Sequence, residues 1–237
     1  MSTTPSFRQP LVALLAPVSL VALASLLLAA CASGPVPPTW QANAHAALAR
    51  YPAAYFSGER RLASADLALA RRDVARTGRP DLLARVELSV CAVHIAALAT
   101  PADDDCPPYQ RFAVDASPDD QAYAQFLRGH WAGLDSGHLP ESYRALLSAG
   151  DDAGAATAAL AEIASPLSRL IAAGVLLRRA QLTPAGLELA IDTASTQGWS
   201  RPLLAYLGVQ FQAAEKASDS TSLERIRRRI NSITAGP

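Results

Sequence analysis

Across 237 residues, 21 basic side chains balance 21 acidic ones, which leaves no electrostatic case for nucleic-acid binding. Half of the residues are hydrophobic, enough for one domain or two small ones with a real core. Lys216 is the sole lysine, a bias that goes with the abundant alanine and reflects genome composition.

The first element is a targeting signal. Residues 1–10 are a short polar head whose only charged side chain is Arg8, and residues 11–30 (LVALLAPVSLVALASLLLAA) carry no charge. Twenty apolar residues are about enough to cross a bilayer, so an uncleaved span is one alternative, weakened by Pro17, Ser19 and Ser25. An ordinary signal peptide is another. The segment closes on Leu28-Ala29-Ala30-Cys31 followed by Ala32-Ser33-Gly34, which resembles the lipobox of bacterial lipoproteins. The resemblance implies a diacylglycerol on the Cys31 sulfur and cleavage just before it, with Ala29 and Ala30 small enough to enter the peptidase. Two lipid chains suffice for stable membrane anchoring. In Gram-negative bacteria an aspartate after the lipidated cysteine retains such proteins in the inner membrane. Ala32 stands there instead, which implies the periplasmic face of the outer membrane. Cleavage removes Arg8 and leaves about 207 residues with a charge of about −1.

Residues 33–39 (SGPVPPT) form a proline-stiffened tether, and ordered structure is expected from Trp40. From there to the end alanine and leucine dominate, and no alternating β-branched or aromatic run occurs, so an all-α fold is expected. Ser117-Pro118, Ser165-Pro166 and Thr183-Pro184 each set a capping hydroxyl before a proline at the first helical position, and Pro80 and Pro140 suit the same position. Gly58, Gly78, Gly150 and Gly198 mark stops. The predicted helices run over 40–57, 60–77, 80–99, 118–132, 140–149, 152–163, 166–180, 184–197, 199–217 and 222–233. In the third, Leu83, Val86, Val90, Val93 and Ala97 draw one apolar stripe that another helix must cover. In the last, Leu223, Ile226, Ile230 and Ile233 share a face, and Thr221 with Glu224 has capping-box spacing. Short connections fold successive helices back as antiparallel hairpins, giving a bundle or a short α-solenoid. The first pair, 40–79, resembles a tetratricopeptide unit in its helix-turn-helix length. That resemblance is architectural, since the family's small and aromatic positions fit no register over 40–80 and no second copy follows. Trp40, Tyr51, Tyr55, Phe56, Trp199, Tyr206 and Phe211 are assigned to the core.

Residues 100–117 are the longest break in the helical pattern and a candidate boundary within the domain that spans 40–237. If Cys31 is lipidated and the chain exported, Cys91 and Cys106 remain as a pair in an oxidising compartment, which implies a disulfide. The rival is a metal site, with Cys91 and His94 at i, i+3 and Cys106, Asp103, Asp104 and Asp105 completing the ligands. One Cys-x-x-His is a low-specificity signal, and the aspartate run lacks the alternation and glycine of a calcium loop. No metal or cofactor is expected.

His130 and His138 flank Trp131 in GHWAGLDSGH, where a paired-histidine site or pocket competes with a helix end and turn, the simpler expectation. His45 is read as a packed or surface residue. The nucleophile patterns G-x-S-x-G, S-x-x-K and H-E-x-x-H are missing, as are phosphate loops. Glu141, Glu162 and Glu188, the candidate acids of a cell-wall lyase, sit in ordinary helical contexts, so no catalysis is expected. Arg225, Arg227, Arg228 and Arg229 make the last helix basic, a candidate interaction surface for anionic lipid or an acidic partner, against the alternative of a solvated outer face.

These readings combine into a lipid-anchored periplasmic helical protein that binds another envelope protein as an adaptor. The alternative is a small-molecule, cell-wall or metal-binding lipoprotein, with a cell-wall hydrolase or lyase third. A groove lined with tyrosine and arginine points to the second, a buried acid or histidine with a strongly shifted pKa to the third, and an exposed apolar patch of several hundred Å² to the first.

Overall fold

Local sequence signals set most of the helix ends. A computed structural model describes residues 36–99 and 106–235, and among them helices account for all the regular structure. Residues 1–35, Cys31 among them, and Asp103, Asp104 and Asp105 lie outside the described residues. Ser117, Ser165 and Thr183 each accept a hydrogen bond from a backbone amide three residues on, and each is followed by a proline in the first turn. The helices are α1 Thr39–Phe56, α2 Arg60–Ala75, α3 Pro80–Ala96, α4 Pro107–Gln110, α5 Pro118–Arg128, α6 Glu141–Ala149, α7 Ala153–Glu162, α8 Pro166–Arg178, α9 Pro184–Thr196, α10 Ser200–Lys216 and α11 Ser220–Thr234. Short 3₁₀ turns at Ala113–Asp115 and Ser136–His138 complete them.

Three local details differ from the sequence expectation. Pro140 is the N-cap of α6 and not its first helical residue. Asp219, not Thr221, caps α11, its carboxylate accepting from the Ser222 amide. α5 ends at Arg128 and not near 132, because Gly129 adopts φ +78 and the His130 amide donates back to the Gln125 carbonyl. The same closing hydrogen bond ends α3, α8 and α10, from Ala99 to His94, Gln181 to Leu176 and Asp219 to Ala214. There the left-handed residues are Leu98, Ala180 and Ser218 in place of glycine.

Residues Trp40–Pro237 form one compact unit. The candidate boundary near 100–117 does not open it in the described part: Cys106, Tyr109 and Ala116 are buried in the main core, with α4 and the following 3₁₀ turn packed on α3. The predicted stripe on α3 is buried from Val86 to Ala97, with Leu83 partly buried, yet α3 is more than a striped helix. Ala84, Leu88, Cys91, Ala92, Ile95 and Ala96 are buried as well, because α2, α4, α5 and α8 surround it. The later helices pack in a row, α8 on α9, α9 on α10 and α10 on α11. Ile226 is buried at the end of this row, with Leu223, Ile230 and Ile233 against the same core. Tyr51, Phe56 and Tyr206 are core residues as expected, while Trp40, Tyr55, Trp199 and Phe211 are partly buried against the core.

Carboxylates taken out of water must be paired. Asp66, Glu87 and Asp120 are buried, and each meets an arginine from a neighbouring helix: Arg50 of α1 to Asp66 of α2, Arg71 of α2 to Glu87 of α3 at 2.6 Å, and Arg85 of α3 to Asp120 of α5 at 3.0 Å. The last two are bidentate. This series links the first three helices to α5 in a fixed register.

The tightest helix contact is α3 on α8. A Cβ on Gly174 would lie 2.4 Å from the Ile95 carbonyl oxygen, and backbone there cannot step aside. Alanine is the better helix former by about 1 kcal/mol. Nevertheless Gly174→Ala is expected to destabilise by about 1–3 kcal/mol, because the two helices must separate. Urea unfolding measures this, and an unchanged or raised midpoint would refute so close an approach.

Candidate functional site

The sequence-derived candidates separate in space. Cys91 is paired with Cys106, their Cα atoms 5.8 Å apart. His94, one turn along α3, turns elsewhere: its Nε2 lies 3.0 Å from the Tyr51 hydroxyl, and its ring stacks on Tyr55 at 4.8 Å. The two side chains of the Cys-x-x-His spacing thus serve different partners, and no cluster of three or more metal-ligating groups occurs among the described residues.

His130 and His138 are not a pair either. His138 Nδ1 lies 2.7 Å from Asp119, while His130 is exposed beside a cleft of about 780 Å³ that Trp131, Asp151 and Arg179 also line. In that cleft the Arg179 guanidinium stacks over Trp131 at 4.0 Å and donates to the Gly129 carbonyl, the Asp151 carboxylate and Gln181. Three of its five N–H donors are engaged, one of them holding Gly129 to the end of α8, so the cleft is braced from within.

Glu141, Glu162 and Glu188 are exposed, and Glu188 accepts a hydrogen bond from Gln210. Arg225, Arg227 and Arg228 of α11 are exposed and Arg229 is half-buried. Arg227 lies over Phe211 and Arg228 pairs with Glu224 at 3.9 Å, so the helix is basic outside and fixed by its isoleucines inside. With that apolar face in the core, α11 cannot lay it into a bilayer.

A groove that sequence reading did not anticipate lies where α1, α3, α5, α6 and α8 meet. It encloses about 460 Å³, within the range of small-ligand and side-chain sites. Leu48, Val93, Leu167 and Ile171 supply apolar wall, and Tyr51, Tyr123 and Tyr143 supply aromatic wall. Ser89, Ser142 and Ser168 add hydroxyls, and His45, Ala49 and Pro140 form an exposed rim. Tyr123 and Tyr143 stack at 5.8 Å, and Phe126 stacks behind Tyr143 at 4.7 Å, which makes the floor rigid. Burial pushes the Tyr51 phenol up to about 12, and it raises Tyr123 and Tyr143 as well, so all three stay neutral hydroxyls at physiological pH. The groove holds no arginine. Its parts come from residues up to 126 positions apart, from His45 to Ile171, and no local pattern announces them.

Among the described residues the exposed large hydrophobic side chains are Val36, Leu62 and Val114, scattered and not forming a patch. No helix of the described residues is long and apolar enough to cross a membrane. No family model, no curated protein and no solved structure matches the chain.

Proposed function

We propose that this chain is a lipid-anchored helical interaction module of the bacterial cell envelope, held at the periplasmic face of the outer membrane by diacylglycerol on Cys31. It works by binding a segment of another envelope protein in the groove between α1 and the α5, α6 and α8 wall. The observation that carries the proposal is the groove itself: an apolar, tyrosine-walled site with an exposed rim, lined by residues of five helices. Its apolar walls and neutral hydroxyls suit an apolar or aromatic anchor residue with a few polar neighbours. The exposed apolar side chains are scattered, so the outer apolar patch expected of an adaptor does not support this reading and the groove alone does.

A photo-reactive amino acid at Ala49, on the rim, is expected to cross-link a reproducible envelope protein in intact cells, while the same group at Ser232 of α11 is not. Ser142→Trp, which fills the groove from an exposed position, is expected to lower the capture at least about tenfold, the equivalent of losing about 1.4 kcal/mol of binding. Capture from Ser232 alone would place the interaction elsewhere and overturn the groove. The second reading, a small molecule or cell-wall fragment in the same groove, is favoured by the aromatic wall and the serine hydroxyls beside it, which suit an apolar or sugar-like ligand. Native mass spectrometry showing a bound small molecule that Ser142→Trp displaces, with no protein captured, would select it.

A further inference from the structure

We infer that the outer face of α2 lies against the membrane and binds anionic phospholipid headgroups, so that the anchored domain stands in one orientation. This rests on the lipid-anchor proposal. Its own observations are the charge pattern of the first hairpin and where that hairpin sits in the chain.

Residues 40–79 hold seven arginines against three carboxylates, a net +4, whereas residues 80–219 hold nine basic and seventeen acidic side chains, a net −8. The structure sharpens this contrast. Arg60, Arg61, Ser64, Ala65, Ala68, Arg72, Ala75 and Arg76 make up the outward arc of α2, all exposed, and none is acidic. Two of the hairpin's three carboxylates face the other way: Asp66 is 4% and Asp73 2% exposed, Asp66 held by Arg50 and Asp73 beneath Arg72 at 3.1 Å and Arg76 at 3.8 Å, while the third, Glu59, is exposed at the N-cap of α2 beside Arg60. Guanidinium groups therefore stand outward over buried carboxylates. Alanines between them leave the face flat, and Leu62, 47% exposed, stands beside Arg61 as an apolar contact for the interface.

Position in the chain selects this face over α11. Eight residues separate Cys31 from Trp40, a span that even fully extended reaches no more than about 30 Å. Trp40 and Ala44, at the start of α1, belong to one small cluster with Val74, at the end of α2, so Arg72 and Arg76 occupy the end of the hairpin at which α1 begins. Charges more than about 8 Å from a surface are screened at physiological ionic strength. A tether of this length lets the basic face reach that range, where an anionic bilayer attracts it and repels the acidic remainder of the domain. α11 carries four arginines too, but at the opposite end of the chain.

The test is arginine footprinting of the lipidated protein in vesicles. Purified protein is placed in phosphatidylcholine vesicles with or without phosphatidylglycerol, modified with an arginine-specific dicarbonyl, and read by peptide mass spectrometry. Phosphatidylglycerol is expected to slow modification of Arg60, Arg61, Arg72 and Arg76 about fivefold or more, reversibly with salt, and to leave Arg225 and Arg228 unchanged. Equal rates in both vesicles, or protection confined to α11, would overturn the inference. The intact mass separates the two failures. A mass without lipid on Cys31 overturns the anchor and this orientation together, and a lipidated protein with uniform rates overturns the orientation alone.

Discussion

Cys31→Ala is expected to abolish metabolic labelling by palmitate and leave the precursor uncleaved, because the diacylglyceryl transfer needs the thiol and the peptidase acts on the lipidated cysteine. Wild-type protein should fractionate wholly with membranes and stay there in high salt and alkaline carbonate, since two acyl chains hold a protein far more tightly than charge does. Ala32→Asp is the companion: in a Gram-negative host it should move the protein from outer- to inner-membrane fractions without altering the label. Retained labelling in Cys31→Ala would sink the anchor. Label retained with unchanged location in Ala32→Asp would leave the anchor standing and remove the sorting assignment.

Breaking the Cys91–Cys106 pair is expected to lower the stability of the domain by about 3 kcal/mol, the loop-closure entropy of a short cross-linked segment. Fifteen positions separate the two cysteines. At a few degrees per kcal/mol for a domain of this size, the melting midpoint should fall by about 6–12 °C. Both cysteines are buried, Cys91 on the central helix and Cys106 at the head of α4. Reduction should therefore release the segment around α4 from α3 before the helices of the α8 to α11 row are disturbed. Cys91→Ala with Cys106→Ala and chemical reduction of the wild type should give the same shift, apart from the small packing loss of two sulfur atoms. Thiol titration of the denatured, unreduced mature protein checks the premise, since two reactive thiols would mean that no bond forms.

The two readings of the Cys91 region illustrate what spacing can settle. Cys91 and His94 at i, i+3 suit a metal as well as they suit two unrelated roles. The choice depends on what approaches from other helices: Cys106 from α4 on one side, and Tyr51 with Tyr55 from α1 on the other. A similar limit applies to Trp131. The glycines around it announce a break, but only Arg179, fifty residues from Gly129, shows that the break is a clamped loop beside a cleft.

What the sequence determined by itself was local. The hydroxyls of Ser117, Ser165 and Thr183 reach amides three residues away, and Gly58, Gly78 and Gly198 supply positive φ without a Cβ penalty, so these starts and stops needed no partner. Helix identity followed from composition, and the isoleucines of α11 marked its inner face from their spacing alone. Tertiary structure decided the rest. Leu98, Ala180 and Ser218 enter the left-handed region against their intrinsic preference, so no glycine marked these stops in the sequence. Gly174 is needed because of the Ile95 carbonyl of another helix, and α3 became the centre because four helices surround it, although its apolar stripe foretold one neighbour. The groove is the furthest from legibility, since a concavity belongs to no single element: five helices spread from His45 to Ile171 must first be placed before a wall of tyrosines, leucines and serines exists. Backbone hydrogen bonds and φ preferences act over a few residues and leave a mark in the sequence, whereas burial and shape arise from contacts between residues far apart along the chain, which local patterns do not record.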